Sequence, residues 1–175
     1  EGFPMRLPLK VVLILAAIVL AAAFYGTAAA YDVEPGLPFP AGEKLTYRAR
    51  WGFIPAGQVV MEVHPSKNES GQTIHHFTMY SRTSSQVDFL YPIRDVQHST
   101  TDAGLTRTLS YAKQSAGRKV RNIKIDFNWD SMTATYVNSG TAEKIVPILP
   151  GTLDPLALIY ALRLKEIRPG SVLEI

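Results

Sequence analysis

The residue types that most often do acid–base or metal chemistry are few in this chain and poorly spaced for it. It has four histidines and no cysteine. His75 and His76 are adjacent in a stretch that reads as a strand, so their side chains leave opposite faces and cannot hold one ion together. His64 precedes Pro65 at a strand end. His98 lies in Asp95-Val96-Gln97-His98-Ser99, where alternation puts it on the face away from Asp95, Gln97 and Ser99. Without thiolates, zinc sites of the cysteine type, disulfides and cysteine nucleophiles are excluded together. No metal site is expected.

Nucleophilic and phosphate-binding signatures fare no better. There is no Gly-x-Ser-x-Gly elbow, no Ser-x-x-Lys on a helix, and no glycine-rich phosphate loop. Gly52 and Gly57 lack the strand–turn–helix order of a dinucleotide fingerprint. Asp126 and Asp130 flank a turn, which is the role such spacing suits. Asn68-Glu69-Ser70 matches a glycan acceptor triplet, which matters only in a eukaryotic secretory pathway. The sequence therefore assigns no catalytic residue and no cofactor.

What remains is chemistry of binding. Ile123, Ile125, Phe127 and Trp129 alternate with Asn122, Lys124, Asp126 and Asn128, giving an apolar strand face that meets either the core or an apolar ligand. Leu158 and Leu162 lie on the apolar stripe of a helix that could close over that face. In Gln86-Val87-Asp88-Phe89-Leu90-Tyr91-Pro92, three contiguous large side chains beside a proline cannot all point inward, so Phe89 and Tyr91 are candidates for a ligand or membrane contact. Lys113, Arg118, Lys119, Arg121 and Lys124 cluster within twelve positions. Arg118, Lys119 and Arg121 are candidates for contact with anionic lipid or glycan; the competing reading is a solvated hairpin tip that keeps a sheet edge soluble.

The elements that must position these residues are mostly strands. From Glu43, Leu45, Tyr47, Ala49 and Trp51 alternate with Lys44, Thr46, Arg48 and Arg50, which predicts a half-buried antiparallel strand. Gly52 to Gly57 is read as the turn, and Val59, Met61 and Val63 as its partner. Further strands are predicted near 73–83, 94–101, 106–115, 119–129 and 132–138, at meander spacing. One helix is signalled over 154–168, with Asp154 as N-cap, Pro155 at the first position and Pro169-Gly170 as stop. Pro147 to Leu153 is an apolar connector or lip. The fold class is mainly β: a curved antiparallel meander sheet or half-open barrel with one helix packed on it.

The start of the chain speaks to location. Arg6 and Lys10, the apolar run Val11 to Tyr25 and the small residues Ala28-Ala29-Ala30 have the layout of an export signal, with cleavage expected before Tyr31. An uncleaved inner-membrane anchor is the alternative, since about twenty residues span a bilayer; the membrane is then met only through this segment. Either way the body is placed in the periplasm. The boundaries are an N-terminal extension and signal over 1–30, a Pro/Gly-rich leader over 31–42, and a single domain over 43–175. The strand-like Ser171 to Ile175 is expected to continue, making the domain C-terminally truncated. Without Arg6, Lys10 and Glu1 the body carries 16 Lys+Arg against 14 Asp+Glu, too even a balance for a nucleic-acid partner.

Phe39-Pro40-Ala41-Gly42-Glu43-Lys44-Leu45-Thr46-Tyr47, the Gly52 to Gly57 turn, Tyr91-Pro92-Ile93-Arg94-Asp95, Ile125-Asp126-Phe127 and Asp154-Pro155-Leu156-Ala157-Leu158-Ile159-Tyr160 together resemble a family of exported bacterial proteins called domain of unknown function 3108. The resemblance implies an exported location and a β-rich fold, and carries no catalytic residues. The leading expectation is a periplasmic, non-enzymatic protein that binds an apolar or amphipathic envelope component: lipid, acyl chain or glycolipid. A scaffold module that binds an envelope protein is the alternative, and an envelope hydrolase the third. A dry slot lined by Leu158, Leu162, Ile125 and Phe127 would favour the carrier, and a filled core the scaffold.

Overall fold

The computed structural model describes residues 39–64, 73–117, 119–139, 141 and 143–165. Eight strands follow one another in chain order: β1 (Lys44–Trp51), β2 (Ile54–His64), β3 (Ile74–Thr83), β4 (Arg94–Asp102), β5 (Thr108–Ala116), β6 (Val120–Asn128), β7 (Thr133–Asn138) and β8 (Lys144–Pro147). Each pairs antiparallel with the next in a single open sheet of order β1 to β8, a meander that does not close into a barrel. Helix α1 (Ser85–Asp88) lies between β3 and β4, and α2 (Pro155–Arg163) follows β8.

Alternation in the sequence becomes two faces once the register is set. Leu45 pairs with Met61, Met61 with Met79, and Val63 with Phe77, so the apolar sets of β1, β2 and β3 share one face. Helix α2 packs on that face, chiefly against β3 and β4. Its buried residues are Leu156, Ala157 and Tyr160. Tyr160 stacks on Phe77 at 3.9 Å between ring centroids, and Phe39 meets Tyr160 edge-on at 5.0 Å. With Met61, Val63 and Leu105 these form the core, at about 2 kcal/mol for each fully buried large side chain.

Two polar anchors fix the helix. At its start Asp154 is buried; Oδ1 accepts from the backbone of Leu156 (2.9 Å) and Ala157 (3.1 Å), and Oδ2 accepts from Ser99 Oγ (2.6 Å) and Thr108 Oγ1 (2.8 Å). At its end Arg163 grips the buried Glu43 through both carboxylate oxygens, at 2.6 and 2.7 Å, and lies over the Phe39 ring at 4.6 Å. The bidentate fork and the buried carboxylate make this pair far costlier to break than a surface ion pair.

Several expectations need correction. Phe39, assigned to the leader on Pro/Gly content, is only 3% exposed and belongs to the core, because aromatic burial outweighs the irregular backbone around it. The first turn is shorter than read: β2 begins at Ile54, leaving Gly52 and Phe53, with Gly52 in the left-handed region (φ 58°). A bulge between Ala49 and Arg50 absorbs the difference, and Trp51, read as inward, is exposed. Helix α1 occupies part of the loop before Tyr91, and β8 precedes the apolar connector. That connector is pinned by Ile148 N to Met132 O (3.0 Å) and Thr108 N to Thr152 O (3.3 Å), with Leu149 left outward.

Among the described residues no helix is long and apolar enough to cross a membrane. The helix expected over 154–168 ends at Arg163, with Leu164 as its C-cap; the export signal, the leader up to residue 38, residues 166–168 and the strand-like stretch at 171–175 lie outside the described residues.

Replacing Asp154 by Ala removes a helix cap and leaves two buried hydroxyls without their acceptor. Urea unfolding should show a loss of about 3 kcal/mol; a loss within a few tenths would mean that the network does not hold α2. Tyr160 Oη is buried with no hydrogen-bond partner among the described residues. Burial, and then the nearby Glu43, push its hydroxyl well above the ordinary tyrosine range. Tyr160→Phe should therefore match or exceed wild-type stability in the same assay, since it keeps the stacked ring and relieves an unpaired polar atom.

Candidate functional site

Beyond the core, the helix-bearing face changes character. Along the β4–β5 seam Lys113 pairs with Asp95 (2.7 Å), Tyr111 Oη donates to Gln97 Oε1 (2.7 Å), and Ser99 and Thr108 hold Asp154. Burial first, then the negative charges of Asp154 and Asp95, push the Tyr111 hydroxyl up to about 12, so it stays a neutral donor. This polar seam runs between the filled core over β1–β4 and the second half of the sheet.

On that second half the expected apolar stripe is present. Ile123, Ile125 and Phe127 of β6, with Trp129 just beyond, are half-buried between exposed neighbours. Ile125 pairs with Tyr111 and Tyr136, and Phe127 with Ala134. Phe127 and Trp129 lie nearly parallel at 6.2 Å, and Trp129 Nε1 donates to Thr108 O (2.8 Å). The side chain of Arg107 covers the Trp129 ring at 5.7 Å. A shallow cleft of about 490 Å³ opens at this end of β6 and β7, lined by Phe127, Trp129, Asp126, Asn128, Asp130 and Thr135.

Leu158 and Leu162 are not brought over this stripe as the helix pattern suggested. They are half-buried on the flanks of α2, whose buried side faces Phe77 and Phe39, and neither belongs to the core cluster. The helix sits where its buried cap partners Ser99 and Thr108 put it, nearer β4 than β6. The space beneath it is filled by Tyr160 and Leu156, both 0% exposed, rather than by a dry slot.

The other candidates gather at one end of the sheet, where the β1–β2 turn, the β3–β4 connection and the β5–β6 turn meet. Phe89 and Tyr91 are exposed there, as their crowding beside Pro92 implied. Ser84 N donates to Ala56 O (3.0 Å), tying the connection to the end of the first hairpin. A Cβ at Gly117 would come within 2.2 Å of Pro92 O, so the β5–β6 turn packs against the same connection and needs glycine there. Lys119 and Arg121 beside it are exposed; Arg118 lies outside the described residues.

Sequence reasoning missed a second basic group at this end. Arg48 pairs with Gln58, Gln58 with Arg82, and Arg82 with Arg94, which aligns three guanidiniums across four strands on the face away from α2. With Arg50 and Ser84 they line a cleft of about 550 Å³. Asp88 of α1 is salt-bridged to Arg94 and also accepts from Thr83 Oγ1, and this holds its carboxyl below the usual range. Arg48, Arg50 and Arg82 have no carboxylate partner among the described residues. Alternation already put Arg48 and Arg50 on the polar face; the register that adds Arg82 and Arg94 is not written in any one strand.

The histidines divide as alternation required: His75 is buried on the helix face, its Nε2 3.1 Å from Ala103 O, and His76 is on the other. On that second face His64 Nε2 lies 2.7 Å from Thr78 Oγ1, which is 3.3 Å from His98 Nδ1, and His76 Nδ1 lies 3.0 Å from Thr100 Oγ1. No three His, Asp or Glu residues are disposed to hold a metal among the described residues. Burial lowers the pKa of His76, and His64 and His75 lower it further. A base with a depressed folded pKa takes up its proton more readily when unfolded. Its contribution to stability is therefore intact above about pH 6.5 and is lost as the pH falls through that value toward the folded pKa. Wild type should lose stability in urea between about pH 7.5 and about pH 5.5, and His76→Gln should lose less; equal losses would show that His76 is not the group responsible.

No curated protein and no solved structure matches the chain significantly. A family profile described as protein of unknown function DUF3108 matches residues 46–175, from within β1 through every later strand and α2. With most of its length inside that match, including Tyr91-Pro92-Ile93-Arg94-Asp95 and the Asp154-Pro155 helix start, the chain belongs to the DUF3108 family of proteins of unknown function.

Proposed function

We propose that this is an exported, periplasmic binding protein, without catalytic activity, for an amphipathic component of the cell envelope that carries an acyl chain. The observation that carries the reading is the half-buried stripe of Ile123, Ile125, Phe127 and Trp129, set beyond the polar seam. On β1 the half-buried Leu45 and Tyr47 pack against the core cluster, whereas the β6 stripe lies outside that cluster. The apolar side chains of β6 alternate strictly and keep contact with solvent, and the adjoining cleft sets Phe127 and Trp129 beside Asp126, Asn128, Asp130 and Thr135, combining aromatic and polar groups as amphipathic ligand sites do. Export is supported by the arrangement of Arg6, Lys10, the apolar run and Ala28-Ala29-Ala30.

A second reading is a scaffold that binds another envelope protein. It is supported by the filled space under α2 and by β8, a short strand at the edge of the sheet among the described residues and exposed along its length, with Ile145 at 69% exposure.

Native mass spectrometry on protein purified from a bacterial periplasm, under conditions that retain lipids, separates the two. A reproducible lipid-sized extra mass that is lost in Phe127→Ser, with the circular dichroism spectrum unchanged, is the expected result. Protein that stays bare after incubation with envelope lipid extract would overturn the carrier reading and leave the scaffold.

A further inference from the structure

The end of the sheet that carries the arginine row also carries most of the largest exposed apolar side chains. Phe53 at the tip of the β1–β2 turn is 91% exposed, Phe89 after α1 is 79% exposed, and Trp51 and Leu90 beside them are 66% and 57% exposed. These come from two segments held together by Ser84, whose N–H bonds Ala56 O and whose hydroxyl donates to Pro55 O. Between and behind them Arg48, Arg50, Arg82 and Arg94 line one cleft, with Asp88 the sole carboxylate lining it among the described residues.

Each half of this arrangement is unfavourable to an isolated protein in water. Arg82 and Arg94 are direct cross-strand neighbours and Arg48 continues their row, so like charges repel along it. Asp88 neutralises one of them. Aromatic side chains at these turn tips expose apolar area that no element among the described residues covers. One kind of surface satisfies both features: phosphates at the height of the guanidiniums and an apolar layer a few ångströms deeper. Trp, Phe and Leu enter the interfacial region of a bilayer, while arginines stay at the phosphates. A soluble polyanion would meet the arginines and leave Phe53 and Phe89 in water.

We propose that this end of the sheet docks on the surface of an anionic phospholipid bilayer, with Trp51, Phe53, Phe89 and Leu90 entering the interfacial layer and Arg48, Arg50 and Arg82 meeting lipid phosphates. The β5–β6 turn, packed against Pro92, brings Lys119 and Arg121 to the same rim and widens the basic footprint. This goes beyond acyl-chain binding: the stripe on β6 is on the other face, and Trp129 is in the β6–β7 turn at the opposite end.

The two tryptophans supply the test, since they sit at opposite ends of the sheet. Full chain is added to vesicles of phosphatidylcholine, with or without phosphatidylglycerol, whose acyl chains are brominated to quench nearby tryptophan. Trp51 emission is taken as the difference between wild type and Trp51→Phe, and Trp129 emission is read in Trp51→Phe itself. The reading concerns the position of Trp51, so attachment through the N-terminal apolar segment does not mimic it. The expected result is a blue-shifted, quenched Trp51 in phosphatidylglycerol vesicles and little change in phosphatidylcholine alone; quenching of Trp129 reports an acyl chain taken up at the β6 stripe and is read separately from Trp51.

Arg48→Gln with Arg82→Gln should lower the ratio of docked to undocked protein roughly 30-fold, at about 1 kcal/mol for each cation near an anionic surface. Raising the salt to about 1 M, where the Debye length is near 3 Å, should release Trp51. An unquenched Trp51 with phosphatidylglycerol, or quenching equal in both vesicle types and indifferent to the arginine changes, would overturn the proposal. A lipid-sized mass in the spectrometer together with an unquenched Trp51 would leave the carrier reading standing and remove only this one.

Discussion

The arrangement of this molecule turns on one buried carboxylate. Asp154 has four donors for its two oxygens: two backbone amides that begin α2 and two hydroxyls, Ser99 on β4 and Thr108 on β5. An aspartate buried with fewer partners would be expensive; with four it ties the orphan amides of a helix start to two adjacent strands at once. Thr108 completes the loop by accepting from Asp154 N (2.8 Å) while its own carbonyl receives the Trp129 indole. The place where the helix lands on the sheet is thus set by hydrogen-bond geometry, and the apolar side chains fill in around that choice. Tyr160 and Leu156 fall onto Phe77 because the cap puts them there, and Arg163 then reaches Glu43 at the start of β1.

Fixing the helix over β3 and β4 has consequences on both sides of it. Toward β1 the core is complete, with Phe39 closing its rim against Phe77 and Tyr160. Toward β6 the helix stops short, and the paired groups Asp95–Lys113 and Gln97–Tyr111 stand between its footprint and the apolar stripe. A single nine-residue helix cannot roof eight strands. The half-buried state of Ile125 and Phe127 follows from the position of α2 as directly as the full burial of Phe77 does.

Most of the fold was legible because period-two alternation and turn residues are local signals. The strand predicted over 94–101 is observed over Arg94–Asp102, that over 132–138 over Thr133–Asn138, and Asp154-Pro155 announced its helix with the cap and first-turn proline in place. What could not be read depends on relations between elements. Phe39 looked like leader because its neighbours are Pro and Gly, and only the Tyr160 and Phe77 rings reveal why it is buried. Leu158 and Leu162 share an apolar stripe with Leu156, yet which part of a wide stripe turns inward was decided by Ser99 and Thr108. The register that joins Arg48, Gln58, Arg82 and Arg94 into a row likewise exists only after four strands have paired.

The two ends of the meander are chemically unequal, and the inequality follows from how each is tied together. At the helix-start end the turns are closed by their own polar groups: Asp102 accepts from the backbones of Thr106 and Arg107, and Asn128 accepts from Asp130 and Ser131. Their side-chain oxygens are spent on local backbone, and Leu105 turns into the core. At the other end Ser84 bonds Ala56 and Gly117 packs against Pro92, while Asp88, held by Arg94 and Thr83, closes the connection around α1. Trp51, Phe53, Phe89 and Leu90 take no part in these ties, and behind them Arg94 is paired with Asp88 while Arg48, Arg50 and Arg82 have no carboxylate partner among the described residues. A strand-turn protein has every reason to place polar residues at such tips. Apolar rings set there, beside three guanidiniums without a carboxylate among the described residues, fit the proposed docking on a surface that supplies both a phosphate and an apolar layer.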